Sequence, residues 1–238
     1  MKKELIAKEH IINNSKYNFI FLHGWGVTYK TLLYFSSLWE NKYSIYLLSL
    51  PGFFNNELKT SYFLEDYLND IDEFIREKNL KNVVIIGHSF GGKLAIFLKK
   101  KNPSYKIIAL APSIVKNPFN PLTFFKIKMY KFLKKCKCPL HKLFRGSKDY
   151  RNTDGYLKKT FINIVHAYMS EEDLQEIGSF LLIGFDKDKE VNIRSLKKVA
   201  KLNSNIHFKI FKGDHFSYFD HRYEIYLLIN DFIKDNKI

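Results

Sequence analysis

Val83-Val84-Ile85-Ile86-Gly87-His88-Ser89-Phe90-Gly91-Gly92 is the stretch whose reading decides the fold. Four apolar β-formers run into Gly-His-Ser-Phe-Gly, and Lys93-Leu94-Ala95-Ile96-Phe97-Leu98-Lys99-Lys100 then reads as helix. A Gly-x-Ser-x-Gly pentapeptide between a buried strand and a helix puts its serine on a sharp turn. Glycines at 87 and 91 let neighbouring segments approach that bent backbone, and the serine itself takes strained dihedrals. The following helix aims its positive N-terminal end at the serine and favours negative charge developing there.

Outward from this turn the chain alternates strands and helices. Residues 4–12 alternate weakly, as an edge strand does, and Asn18–Leu22 is a buried-strand run ending in His23-Gly24-Trp25-Gly26. A helical stretch covers roughly Lys30–Trp39, and Ser44–Leu50 is a strand closed by the turn Pro51-Gly52. Helix resumes near Tyr62 and runs to Lys78, with Phe63, Tyr67, Leu68, Ile71, Phe74 and Ile75 on one face. After the serine turn come a strand over Lys106–Ala111, a helix from the capping signal at Ser170 to Ile177, and a strand over Phe180–Ile183. Helix Ile193–Leu202, strand His207–Phe211 and a last helix over about 221–235 complete the order. This alternation predicts an α/β fold with a mostly parallel central sheet flanked by helices, and ligands in such sheets gather at the carboxyl ends of the strands. His23-Gly24-Trp25, Pro51-Gly52, Ser89 and Pro112-Ser113 then share one rim.

Between about residues 113 and 168 the alternation stops. Pro112, Pro118, Pro121 and Pro139 interrupt it, and the remainder is lysine- and aromatic-rich helix such as Phe124–Leu133. The expectation is a helical lid inserted over the rim of one domain spanning residues 1–238, with Phe119, Phe124, Phe125, Tyr130 and Phe132 available either to an acyl pocket or to ordinary packing.

Composition narrows the class. With 238 residues, 46% hydrophobic and 26% charged, the chain suits one large globular domain. Its start has no continuous apolar core like that of a signal peptide, and no run of about 18 apolar residues predicts a membrane span, so the expectation is a cytoplasmic protein. Cys136 and Cys138 sit one residue apart with no other cysteine to pair with and no second Cys/His cluster, which points to thiols in a reducing compartment and to no metal. The formal charge is +15, but arginine occurs only at 76, 145, 151, 194 and 222. A lysine excess beside abundant Asn, Ile, Phe and Tyr reads as compositional bias rather than as specific nucleic-acid recognition, for which arginine is the better bidentate donor.

A serine hydroxyl becomes a nucleophile when a base takes its proton and a third group holds that base in the right tautomer. Among the eight histidines, His215 follows a strand in Lys212-Gly213-Asp214-His215-Phe216, a loop at the same rim. His88 adjoins Ser89 but points elsewhere if the serine holds the turn's tip, and His23 is expected beneath the rim, ordering its loop. His10, His141, His166, His207 and His221 have no comparable context. The orienting acid should follow a strand between Ser89 and His215, where Asp186 and Asp188 both qualify and spacing does not separate them. Backbone N–H donors for an oxyanion would come from Phe90, the residue after the serine, and from the His23-Gly24-Trp25-Gly26 turn, with Trp25 N–H the natural candidate.

With His-Gly-Trp-Gly at 23–26, Leu-Pro-Gly-Phe at 50–53, Gly-His-Ser-Phe-Gly-Gly at 87–92 and Gly-Asp-His-Phe at 213–216, the chain resembles esterase-like serine hydrolases of the α/β-hydrolase fold superfamily. The order Ser, Asp, His is also theirs. In those proteins the acid loop commonly reads Gly-Glu-x-Asp, so the resemblance assigns the acid to Asp188, with Phe185 in place of the usual glycine. A second departure is Gly-Phe-Phe-Asn-Asn at 52–56, off the proton relay. The resemblance implies attack by Ser89 on an acyl carbon, His215 as base then acid, Asp188 as the orienting acid, an acyl-enzyme, a small or medium ester substrate and no cofactor. Thioesterase or carbon–carbon bond hydrolase chemistry fits the same parts. From another class, a non-catalytic binding protein on this scaffold would not need Ser89, His215 and Asp188 together. The first two motifs are similar to those of pimeloyl-carrier-protein methyl ester esterases. That similarity implies an acidic carrier protein as partner, one that Lys126, Lys128, Lys131, Lys134, Lys135, Lys137 and Lys142 would suit electrostatically, although a solvated lysine face suits the same run.

Overall fold

The computed structural model describes residues 5–116, 121–136, 138–140 and 148–235. Its strands are β1 (Ile6–His10), β2 (Asn18–Leu22), β3 (Ser44–Leu48), β4 (Val83–His88), β5 (Lys106–Leu110), β6 (Phe180–Phe185) and β7 (Ile206–Phe211). The helices are α1 (Leu33–Ser36), flanked by 3-10 turns, α2 (Leu64–Glu77), α3 (Phe90–Lys101), α4 (Pro121–Lys135), α5 (Lys148–Arg151), α6 (Gly155–Ile164), α7 (Glu171–Glu176), α8 (Ile193–Leu202) and α9 (Arg222–Asp235). The strands form one sheet in the order β1-β3-β2-β4-β5-β6-β7. Every neighbouring pair is parallel except β1 with β3, which places the antiparallel strand at the edge.

Alternation of side chains along each strand builds two cores. In β2, Phe19 and Phe21 join a layer with Leu32, Phe35 and Trp39 and with Ile225 and Ile229 of α9. Ile20 and Leu22 point the other way, to Tyr67, Leu68 and Ile71 of α2 and Leu94 of α3. Strand β4 divides likewise, with Val84 and Ile86 in the first layer and Val83 and Ile85 in the second. Burial on both faces explains why these strands are continuous apolar runs rather than alternating ones.

The expected mostly parallel sheet is present, with small shifts at element ends. Strand β6 continues past Ile183 because Phe185 pairs with Phe211 of β7. Phe63, expected on the buried face of α2, is 61% exposed instead. It precedes the first helical residue in extended conformation, and its N–H is bonded to the Asp66 carboxylate at 2.7 Å. The helix therefore starts one residue later than its apolar pattern does.

From α4 to α6 helices replace the alternation. The last of them reaches the rim. Thr160 Oγ1 accepts from Tyr62 N–H at 2.8 Å, Asn163 donates to Tyr62 O at 3.0 Å, and the Phe161 ring lies 5.3 Å from that of Trp25. Beneath, the buried Lys93 of α3 donates to Ile164 O at 3.3 Å, and burial lowers its pKa to about 8. On α4, Phe125 and Phe132 are exposed. Phe119, Lys137 and Lys142 lie outside the described residues, as do the side chains of Phe124 and Lys126. Cys136 and Cys138 form no disulfide, and among the described residues no helix is long and apolar enough to cross a membrane.

Candidate active site

Ser89 sits between β4 and α3 with φ 53° and ψ −110°. Such a conformation in a non-glycine residue costs about 1–3 kcal/mol and persists only where surroundings over-determine it. Here the Ser89 N–H donates to Leu110 O at 2.8 Å, and Ser89 O accepts from Lys93 N–H at 3.0 Å. Gly91 lets the turn press against the end of β2, since a Cβ there would lie 2.1 Å from Leu22 O. Gly24 does the same from the opposite side. A Cβ on it would lie 3.2 Å from His88 Nδ1 and 3.3 Å from Ser89 Cβ, so the loop after β2 passes directly beside the serine.

His215 stands on the loop after β7, and a tight turn shapes that loop. Asp214 N–H donates to Ser217 Oγ at 2.9 Å, and Asp214 Oδ1 accepts from Phe216 N–H at 2.9 Å. The side chain of His215 is 5% exposed, and its Nδ1–H donates to Asp188 Oδ2 at 2.7 Å. Asp188, 1% exposed, uses its other oxygen to accept from the N–H groups of Glu190 and Val191 at 2.8 and 2.9 Å. Asp186 does something different. It is exposed, and its Oδ1 accepts from Gly213 N–H at 2.9 Å, tying the β6 loop to the β7 loop.

Two further histidines hold this rim together. His88 Nε2–H donates to the backbone O of His215 at 2.8 Å, and the two rings lie 4.7 Å apart. A bond to a carbonyl makes Nε2 the protonated nitrogen and leaves Nδ1 bare; it is buried without a partner. Burial, with His215 nearby, lowers the pKa of His88 to about 3. His23 lies under the β2 loop as its position suggested. Its Nδ1–H donates to Gly24 O at 2.8 Å and its Nε2 accepts from Leu50 N–H at 3.1 Å, while burial lowers its pKa to about 4. His88 links the serine turn to the His215 loop, a task its place in the motif did not disclose.

A cavity of about 360 Å³ opens at this rim, lined by Trp25, Phe53, Phe54, Leu157, Glu190 and Phe216 among others. Its aromatic walls thus come largely from the loops after β2 and β3, including the unusual 52–56 segment. The Trp25 ring meets Phe53 at 4.9 Å and Phe90 at 5.5 Å, and its indole N–H is buried without an acceptor. Phe90 is the first residue of α3, where backbone N–H groups have no partner within the helix. Glu190, not singled out from the sequence, puts Oε2 3.4 Å from His215 Nε2. A larger groove of about 600 Å³ lies at the opposite end of the sheet, where Asp72 is engaged by Lys101 at 3.0 Å and by Tyr105 at 3.2 Å.

The chain is 36% identical over 89 residues to a putative esterase/lipase of Mycoplasma pneumoniae, a match covering 36% of this chain and 33% of that one. It is 32% identical over 92 residues to a pimeloyl-[acyl-carrier protein] methyl ester esterase of Wigglesworthia glossinidia brevipalpis, covering 36% and 31%. The chain thus spans about a third of the length of these curated relatives. A lipase-esterase related protein from Clostridium acetobutylicum shares the fold with a TM-score of 0.73 at 18% identity, over 98% of this chain and 100% of that one. The alpha/beta hydrolase family matches residues 19–224, and the chain belongs to that family.

Proposed function

We propose that the chain is a serine esterase cleaving a carboxylic ester of a small or medium acyl group. Ser89 Oγ attacks the acyl carbon while its proton passes to His215 Nε2. The oxyanion forms against the backbone N–H groups of Trp25 and Phe90, and the positive end of α3 favours the same charge. His215 then gives its proton to the departing alcohol. Water, deprotonated by the same ring, splits the acyl-enzyme, and Ser89 regains its proton. Asp188 keeps Nδ1 protonated and stabilises the imidazolium formed in each step. No metal or organic cofactor takes part in this scheme. The observation that supports it most is the 2.7 Å bond between buried Asp188 and His215 at the rim where Ser89 is held in a strained turn. The similarity to proteins named as esterase/lipases supports the same chemistry.

Residues 113–168 serve, in this proposal, as a lid within one domain, a role supported by the contacts of α6 with Tyr62 and Trp25. A second reading adds an acidic acyl-carrier protein as the substrate's bearer, favoured by the Wigglesworthia relative and by exposed Lys131, Lys134 and Lys135 on α4. Turnover of a carrier-linked ester that does not change with salt would contradict it. For the main reading, p-nitrophenyl esters of graded acyl length are the test. The wild type is expected to hydrolyse the short ones, and Ser89→Ala to lose at least about a thousandfold in kcat/KM. Undiminished hydrolysis by that variant would refute the role of Ser89.

A further inference from the structure

From Lys78 to Lys148 the chain has seventeen Lys or Arg residues and no Asp or Glu, more cations than its whole net charge of +15. Compositional bias raises lysine everywhere, but it does not clear carboxylates from one stretch, and all 24 Asp and Glu residues lie outside this one. Within it, α4 turns two unlike rows outward. Phe125, Met129 and Phe132 recur at spacings of four and three, so they share one face of the helix. Phe125 is 57% and Phe132 63% exposed, with Met129 half-buried between them. Lys128, Lys131 and Lys135 recur at spacings of three and four in the adjoining row, and all three are exposed. Cys136, one turn beyond Phe132, is exposed as well.

A purely ionic partner gains nothing from two exposed phenylalanine rings, and a neutral apolar partner gains nothing from the lysines beside them. The two rows together suit a helix lying in the plane of an anionic bilayer surface. There, rings enter the boundary of the acyl chains, lysine stems lie along it and the ammonium groups stay among the phosphates. We propose that the Phe125–Met129–Phe132 face of α4 docks on a lipid surface with anionic headgroups, held by its two phenylalanine rings and by the row of Lys128, Lys131 and Lys135. Each lysine near such a surface strengthens binding about fivefold at physiological salt.

Cosedimentation of the full chain with phosphatidylcholine vesicles containing about 30% phosphatidylglycerol is the test, beside vesicles of phosphatidylcholine alone. The anionic vesicles are expected to bind at least about tenfold more tightly than the neutral ones, and less so at high salt. Lys131→Gln with Lys135→Gln, and Phe125→Ser with Phe132→Ser, are each expected to weaken binding by about tenfold or more. All four positions are exposed, and an unchanged urea midpoint checks that each pair of substitutions leaves the fold intact. A second readout needs none of these substitutions. In Cys138→Ser, an environment-sensitive fluorophore on Cys136 is expected to shift its emission to the blue on the anionic vesicles. Failure to bind those vesicles overturns the proposal, and so does binding that the phenylalanine pair leaves unchanged, or a label on Cys136 that stays in water. An acidic acyl-carrier protein or duplex DNA that displaces the vesicles, and needs the lysines but not the phenylalanines, gives the face to that partner and equally overturns it.

Discussion

Asp186 and Asp188 differ by two positions and by everything else. Both follow β6, and nothing in the sequence around them separates a solvated turn aspartate from a buried one; only the resemblance favoured Asp188. The difference lies in the turn, where the N–H groups of Glu190 and Val191 satisfy one oxygen of Asp188 and leave the other for His215. Asp188→Asn is therefore expected to lower kcat/KM for p-nitrophenyl butyrate by about a thousandfold or more, because an amide destabilises the imidazolium and allows the wrong tautomer. Asp186→Asn keeps an acceptor for Gly213 N–H and is expected to stay within about tenfold of wild type. Equal losses would contradict the assignment. Glu190 escaped notice because Asp186-Lys187-Asp188-Lys189-Glu190 has the composition of a solvated turn, and its reach toward Nε2 depends on how the loop curves.

Elements were most legible where burial is one-sided or complete. The apolar runs of β2, β4 and β5 and the strongly amphipathic α8 follow directly from periodicity. Phe63 misled because an apolar residue just before a helix continues the helical pattern without sharing its face. Among the described residues the segment from α4 to α6 has no strand to pace it, so its helices were expected but their contacts with Tyr62 and Trp25 were not. Two substitutions test how the elements are locked. Gly91→Ala would drive a Cβ into Leu22 O, and a loss of several kcal/mol, on the order of 3 or more, is expected in urea unfolding. Asn203 donates to the carbonyls of Leu174, Gln175 and Ile177 at 3.3, 3.0 and 2.8 Å, joining the end of α7 to the end of α8. Asn203→Ala leaves those acceptors short of donors and is expected to cost about 1–3 kcal/mol. An unchanged unfolding midpoint would show that water replaces the amide fully.

At the scale of the molecule, two buried neutral histidines couple stability to pH. His23 and His88 have folded-state pKa values of about 4 and about 3, below the ordinary 6.5. Between those values and 6.5 the unfolded chain binds more protons than the folded one, so stability is present above pH 6.5 and falls as pH drops through the window. Each histidine contributes roughly 1.4 kcal/mol per pH unit there. Urea midpoints are expected to fall clearly between pH 6.5 and 4.5, and less steeply in His88→Gln. A midpoint flat over that range would contradict the burial of both rings in their neutral form. These histidines join the serine turn, the β2 loop and the His215 loop into one rim, so acid should loosen the site before it unfolds the sheet.

Ser89 is proposed as the acyl-accepting nucleophile at that rim. Its most direct test is mass spectrometry of the folded protein after treatment with a fluorophosphonate, followed by peptide mapping. A single adduct is expected on the peptide containing Ser89, absent in Ser89→Ala and strongly slowed in His215→Ala. An adduct on another residue, or folded protein that takes up no label, would contradict it.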